Sequence, residues 1–342
     1  MNILIDVAVV GAGVVGLSTA VKIQESIPKA RVTLISDRFG QETTSDGAAG
    51  IFRPTVGKVP GVPIPTLKKW LRDSWDRYEL LARSADAGEA GVQVLSGHRF
   101  VDSPTENELE AGLVSCNRRM EAKEMAAFPE ECRKYKHGWF VTTLLTEPRR
   151  YLPYLLKQFK ANGGKVVQRK VSSLEELAGS YKIVVNCTGF GSQQLLGDDK
   201  LVPIRGQVFK VLAPWIKHSL HVGDAAKIYI IPGIEYITVG GTRQENDTDT
   251  KVREEDAKII WENACKVMPS LKKAKIIRQW AGLRPHREPL RLERQTLKTP
   301  AGTIQVIHNY GHGAEGVGLS WGTACHAARL VQEALVLTFS KI

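Results

Sequence analysis

The chain has 342 residues, 43% of them hydrophobic and 24% charged, with a formal net charge of +11. That length exceeds one small core and predicts two domains, and the ordinary composition, with no apolar run of membrane-spanning length, excludes fibrous, disordered and membrane-spanning classes. The basic residues are dispersed, with pairs such as Arg149-Arg150 and Lys272-Lys273 too short to make a patch, so no nucleic-acid partner is expected. Cys116, Cys132, Cys187, Cys265 and Cys325 are odd in number and lack metal-ligand spacing, which reads as reduced thiols and no metal site. No Lys/Arg-led apolar leader opens the chain, so the cytosol or an organelle reached after folding is expected.

In chain order, the apolar strand at 6–10 runs into Gly11-Ala12-Gly13-Val14-Val15-Gly16 and a helix, and a second buried strand at 32–37 ends on Asp37. Strand, glycine turn, helix and an acidic residue about 20 positions on form a dinucleotide fingerprint, in which the carboxylate accepts from ribose hydroxyls. A tight strand–helix turn without ligand is the alternative. After Asp37-Arg38, Thr43-Thr44-Ser45 offers hydroxyls to a phosphate or else caps a loop, and Ala48-Ala49-Gly50 leaves room for a flat ring. A helix is predicted at 66–84, short strands at 91–95 and 139–143, a helix at 151–161 and strands at 165–168 and 183–186. Runs at 207–211, 228–231 and 236–240, separated by turn signals, suggest an antiparallel sheet. A helix at 254–267 and a strand-like run at 276–280 precede a final strand and helix over 303–338.

Between that last strand and helix lies a second glycine segment, Gly311-His312-Gly313-Ala314-Glu315-Gly316-Val317-Gly318. Bare helix N-termini favour anions. One suits a pyrophosphate; two suggest a cofactor with another electron-rich end, which a flavin ring fits better than nicotinamide. The predicted class is α/β (α+β overall). A Rossmann-like FAD-binding domain is expected from 1–50, 145–200 and 286–342, with an inserted, mostly antiparallel β-rich substrate domain from 51–144 and 201–285.

The glycine segments, with Ser45-Asp46-Gly47-Ala48-Ala49-Gly50, Val185-Asn186-Cys187-Thr188-Gly189, Arg205-Gly206-Gln207, Tyr229-Ile230-Ile231-Pro232-Gly233 and Gly282-Leu283-Arg284-Pro285, resemble the D-amino-acid oxidase family nearly end to end. Gly240-Gly241-Thr242-Arg243-Gln244 resembles the branch of it that oxidises D-aspartate. The resemblance implies an FAD enzyme that moves hydride from Cα to flavin N5 without a protein acid or base, passes electrons to O2 to give hydrogen peroxide, and leaves an imine that hydrolyses to a 2-oxo acid and ammonia. It implies FAD contacts at Asp37, Arg38, Thr44, Ser45, Ile51, Val171, Gly313, Val317 and Gly318, with backbone amides of 313–318 stabilising negative charge on the ring. It places the Ala314 carbonyl at the substrate ammonium. With no His or Cys at a flavin-attachment motif, the FAD is expected to be non-covalent.

Arg284 has the right shape for a bidentate grip on an α-carboxylate, against a surface ion pair as the alternative. Tyr229 offers its hydroxyl to the same carboxylate or simply packs its ring. Arg243 is expected to project into a cavity roofed by Tyr229 and hold a side-chain carboxylate; otherwise it pairs with Glu235 or Glu245 on the surface. His221 falls where the D-aspartate branch places another basic side chain, and Arg53 stands where relatives carry an uncharged residue, so both are candidates for the pocket or for solvent. His308 and His312, with no carboxylate or cysteine at catalytic spacing, read as structural. The expected substrates are D-aspartate and D-glutamate with O2. Neutral D-amino acids or glycine are the alternative on the same fold, with an NAD(P) dehydrogenase and a non-catalytic basic binding protein beyond it. The ending Ser340-Lys341-Ile342 nearly matches a Ser-Lys-Leu address, so a peroxisomal import receptor and a peroxisomal location are expected.

Overall fold

Val7, Ala8, Val9 and Val10 are consecutive apolar residues, all essentially without exposure, as a strand covered on both faces requires. A computed structural model of the chain describes residues 4–55, 57–103, 108–110, 112–223 and 227–339; Ser340-Lys341-Ile342 lies outside them. The strand Ile5–Ala12 pairs in parallel with Ala30–Phe39 on one side and with Ile183–Asn186 on the other. Lys165–Gln168 and Gly302–His312 extend the parallel part at its two ends. The helices Val14–Ser26, Ile64–Ala82, Pro148–Ala161 and Gly316–Phe339 contribute Leu17, Trp75, Leu155 and Val331 to one large core against it.

The antiparallel part is built around Leu201–Leu212, Ile228–Pro232 and Ile237–Gly240, with Ser219–Val222 joining Val92–Val101 and His137–Thr146 beyond. Alternation along Leu201–Leu212 sends Phe209 and Val211 into a core with Ile260 and Ala264 of the helix Glu254–Val267. Gly206, Val208 and Lys210 occupy the opposite face, where Lys210 Nζ reaches the Ala48 carbonyl.

The two parts are one hydrogen-bonded 14-stranded sheet, because a single strand, Lys275–Thr299, runs through both. It pairs with Leu201–Leu212 from Lys275 to Arg287, then with Gly302–His312 from His286 to Thr299. The sequence suggested a strand only at 276–280. Pro285, Pro289 and the charges between them disguise the rest, and the chain accommodates them with a register shift between His286 and Arg291.

Arg205 is fully buried on the helix-side face of this sheet. Its guanidinium donates to Asp256 Oδ2 at 2.7 Å, Gln244 Oε1 at 2.6 Å, Gln207 Oε1 at 2.8 Å and the carbonyls of Asp249 and Lys251. Arg205→Met leaves these acceptors without their donor, and should cost about 3 kcal/mol of unfolding free energy or more. An unchanged urea midpoint in the variant would remove Arg205 as the tie beneath the antiparallel sheet.

Candidate active site

The first glycine turn is dictated by space. Gly11 has φ +105°, and a Cβ there would press on the Cys187 carbonyl, while one at Gly16 would collide with the Gly11 carbonyl. The helix Val14–Ser26 begins with no side-chain cap from Gly13 and no acidic residue in its first turn. Ser45 Oγ accepts from Val14 N at 3.0 Å, so the hydroxyl expected near a phosphate stands at that N-terminus. Thr43 instead caps its own loop through the Gly40 carbonyl, and Thr44 is exposed at the start of a short helix. Asp37 and Arg38 are exposed near the end of Ala30–Phe39, with the carboxylate 3.8 Å from the Arg38 guanidinium. Val171 is partly buried against the core cluster that contains Val10 and Ile35 of the first two parallel strands.

The second glycine turn joins Gly302–His312 to Gly316–Phe339. Gly313 has φ +56°, Ala314 is exposed, and Gly318 is partly exposed, with a Cβ there meeting Glu315 and Phe52 only at ordinary contact distance. Val317 is buried, its carbonyl receiving the Tyr78 hydroxyl at 2.6 Å. Gly50, at φ +80°, lies against the Thr146 carbonyl, and Ile51 bridges to Leu145. Two helix N-termini and the loop 48–50, bearing nothing larger than a methyl group, therefore present a cradle that accommodates a pyrophosphate and a flat ring. The residues fit FAD.

The cofactor loop is fastened to the antiparallel sheet. Arg278 Nη2 donates to the buried Asp46 Oδ2 at 2.6 Å, and Lys210 Nζ donates to Thr238 Oγ1 at 2.9 Å and the Ala48 carbonyl at 3.3 Å. Trp280 covers Gly47 and Gly282, where any Cβ would strike its ring. Burial brings the Lys210 ammonium down to about 8, with Glu147 opposing the shift.

On the same face, missing side chains make room for two polar ones. Arg284 lies over Gly206, with Nη1 3.3 Å from the Thr242 carbonyl and 3.4 Å from that of Arg205. The Tyr229 ring covers Gly240, and its hydroxyl lies against Gly241. Both side chains thus converge on the Gly240-Gly241-Thr242 segment. His221 pairs with Tyr229 across the strands and stacks on it, with ring centroids 6.3 Å apart.

The structure differs from the expectation at Arg243. Its side chain is 52% exposed and donates to Glu245 Oε1 at 3.0 Å rather than entering a cavity under Tyr229. Thr242 takes the inward position, accepting from Gln207 N. His221 differs too: it is buried, and burial, then Arg53, Lys58 and Arg99, hold its pKa well below the ordinary value, so it is a neutral imidazole and not a cation. Arg53 belongs to the interior, lining a cavity with Ile51, Arg99, Glu110 and His221. Burial lowers its pKa, against the pull of Glu110 and Glu315.

Sequence reasoning missed several neighbours. Lys58 pairs with Glu315 at 3.1 Å, and Arg99 with the buried Glu110 at 2.9 Å. The one available signal was Glu315, a lone charge inside a glycine-rich turn. His308 and His312 are buried, bonded to Gln295 and Thr323, and burial lowers both to about 3.

A profile of the FAD dependent oxidoreductase (DAO) family matches residues 6–330. The chain belongs to this family and is an FAD-dependent oxidoreductase. It is 44% identical to human D-aspartate oxidase over 96% of this chain and 94% of that protein. It is 36% identical to D-aspartate oxidase 1 of Caenorhabditis elegans, over 96% and 97%. Its fold matches the crystal structure of glycine oxidase from Bacillus cereus with a TM-score of 0.74 at 19% identity, over 96% and 95%. The NAD(P) dehydrogenase alternative falls with the family assignment.

Two measurements follow from this geometry. Asp37→Ala should weaken FAD binding by about tenfold to a hundredfold, since a charged acceptor for ribose hydroxyls is lost; unchanged affinity in a flavin-fluorescence titration would take Asp37 out of the site. Lys210 has a lower pKa folded than unfolded, so between about 8 and 10.5 the unfolded chain holds more protons and the contribution of Lys210 to stability rises with pH. The stability difference between wild type and Lys210→Met should therefore move in favour of wild type from pH 8 to 10.5, by about 3 kcal/mol at most. A difference that stays flat across that window would show the ammonium to be free of its burial.

Proposed function

We propose that this enzyme oxidises acidic D-amino acids, D-aspartate and with it D-glutamate, to the 2-oxo acid, ammonia and hydrogen peroxide. The observation that carries the reading is Arg284, a partly buried guanidinium whose described partners are two carbonyl oxygens, with no ion pair among the described residues. Such a cation calls for an anion, and a bidentate grip on an α-carboxylate supplies one. The Tyr229 hydroxyl donates to the same carboxylate, and the Ala314 carbonyl accepts from the ammonium. Bound FAD supplies the two-electron oxidation and the return of the electrons to O2. The chain's own residues orient Cα and exclude competing chemistry. With His308 and His312 brought to about 3 by burial, neither is a competent base at neutral pH, in keeping with a reaction that needs none at Cα. The released imine takes up water to give the 2-oxo acid and ammonia.

The acidic preference is supported by the two similar proteins named D-aspartate oxidase and by the basic groups around Tyr229 and His221. The exposed Arg243–Glu245 pair favours the alternative, an oxidase for neutral D-amino acids or glycine. Peroxide release across a panel of D- and L-amino acids separates the two. The expected result is D-aspartate above D-alanine and nothing from the L-enantiomers; D-alanine in first place would establish the alternative. Arg284→Lys keeps the charge but loses the fork, and should lower kcat/KM for every D-amino acid by about tenfold to a hundredfold. Full activity in that variant would exclude Arg284 as the carboxylate ligand.

A further inference from the structure

Glu110, which lines the same cavity as Arg53, and Glu315, whose charge also acts on Arg53, already have partners. Glu110 is held by Arg99 at 2.9 Å, with side chains 1% and 12% exposed, and Glu315 by Lys58 at 3.1 Å. His221 is neutral. Three cations, Arg53, Lys58 and Arg99, therefore face two carboxylates, and Arg53 is the one that forms no ion pair among the described residues. A guanidinium stays protonated under these conditions. An unpaired interior charge is costly, and it is retained where an anion arrives.

The surroundings of Arg53 are rigid. Phe52 N donates to the Leu144 carbonyl at 2.8 Å, and Thr143 Oγ1 donates to the Phe52 carbonyl at 2.7 Å, so the segment leaving the cofactor loop is tied to His137–Thr146. Arg53 nevertheless keeps accessible surface, because it lines the cavity shared with Ile51, Glu110, Ser219 and His221. One residue of that lining, His221, links the cavity to Tyr229. Its ring stacks on that of Tyr229 with centroids 6.3 Å apart.

We propose that Arg53 is the residue that receives the side-chain carboxylate of the substrate, while Arg284 holds the α-carboxylate. The assignment rests on the acidic D-amino-acid reading above. A neutral substrate leaves Arg53 unpaired, so selection acts against neutral side chains as well as for acidic ones. Arg243, exposed and paired with Glu245, is then peripheral to the choice.

The test compares kcat/KM for D-aspartate and D-alanine in wild type, Arg53→Met, Arg53→Lys and Arg243→Met, with bound flavin measured in each as a check on folding. A visible-spectrum titration of the flavin with malonate, a dicarboxylate that cannot be oxidised at an amine, gives a binding readout apart from turnover. Arg53→Met should lower the D-aspartate to D-alanine ratio by tenfold to a hundredfold and weaken malonate by a similar factor. Arg53→Lys should fall between it and wild type, and Arg243→Met should change the ratio less than threefold. If Arg53→Met loses its flavin, the Arg53→Lys ratio and malonate affinity decide. An unchanged ratio in every folded Arg53 variant overturns the proposal, as does a collapse of the ratio in Arg243→Met alone. No peroxide from wild type with any D-amino acid would instead overturn the functional reading beneath it.

Discussion

Everything in the site is referenced to one strand. Lys275–Thr299 carries Arg278, which anchors the cofactor loop through Asp46, then Trp280, which walls that loop, then Arg284, the proposed ligand of the α-carboxylate. Past Arg287 the same strand pairs with Gly302–His312, whose end opens the second cradle. Its ladder with Leu201–Leu212 holds Arg278, Trp280 and Arg284 in one continuous register, so the spacing between the anchor of the cofactor loop and Arg284 is not set by a hinge. Positioning to a fraction of an ångström is what orientation-dominated catalysis needs.

Such a strand can serve a site only if its large side chains lie flat. Side chains normally stand away from a sheet, and the volume above it fills with neighbours. Here Gly206 lets the Arg284 guanidinium settle on the backbone, Gly240 does the same for Tyr229, and Gly47 and Gly282 for Trp280. The glycines lower the floor of the cavity, and the polar groups then reach a ligand from below rather than blocking its entry. Glycine costs strand stability. The buried Arg205 network, on the reverse face of the same residues, offsets that cost with hydrogen bonds to Gln207 and Gln244.

The glycine turns were legible because sterics leave no other residue there: Gly11 and Gly16 each sit where a Cβ meets backbone. Strands such as 183–186 and the helix at 254–267 were equally plain, since burial writes itself into apolar runs and amphipathic spacing. The second half of Lys275–Thr299 was not legible, because it is largely solvated and charged, Pro285 and Pro289 interrupt its approach, and pairing with Gly302–His312 rather than its own apolar pattern decides its conformation. Arg243 was misplaced for a related reason. A sequence shows a glycine pair followed by an arginine, but not which way the chain alternates after it rejoins Arg205 through Gln244. Ion pairs between distant segments, Lys58 with Glu315 or Arg99 with Glu110, leave no local trace at all.

The net charge of +11 invites an explanation of the proposed acidic preference by attraction alone, and that explanation is too weak. Exposed charges are screened over about 8–10 Å at physiological ionic strength, so a dispersed basic surface changes the encounter rate more than the choice of ligand. Many of these surface cations are moreover already paired, as Lys69 is with Asp73, Arg83 with Glu79 and Lys157 with Glu89. Discrimination has to come from cations that water cannot screen and no carboxylate neutralises. Glu315 shows how narrow that margin is. Placed in the turn that opens the last helix, its charge is favourable to the helix N-terminus but opposed to an electron-rich ring and an anionic substrate. Lys58 removes the opposition by pairing with it. The turn thus keeps a carboxylate while Lys58 neutralises it and Arg99 neutralises Glu110, and on the proposed reading a single added or lost charge among these buried groups would shift specificity more than a change in the dispersed surface charge.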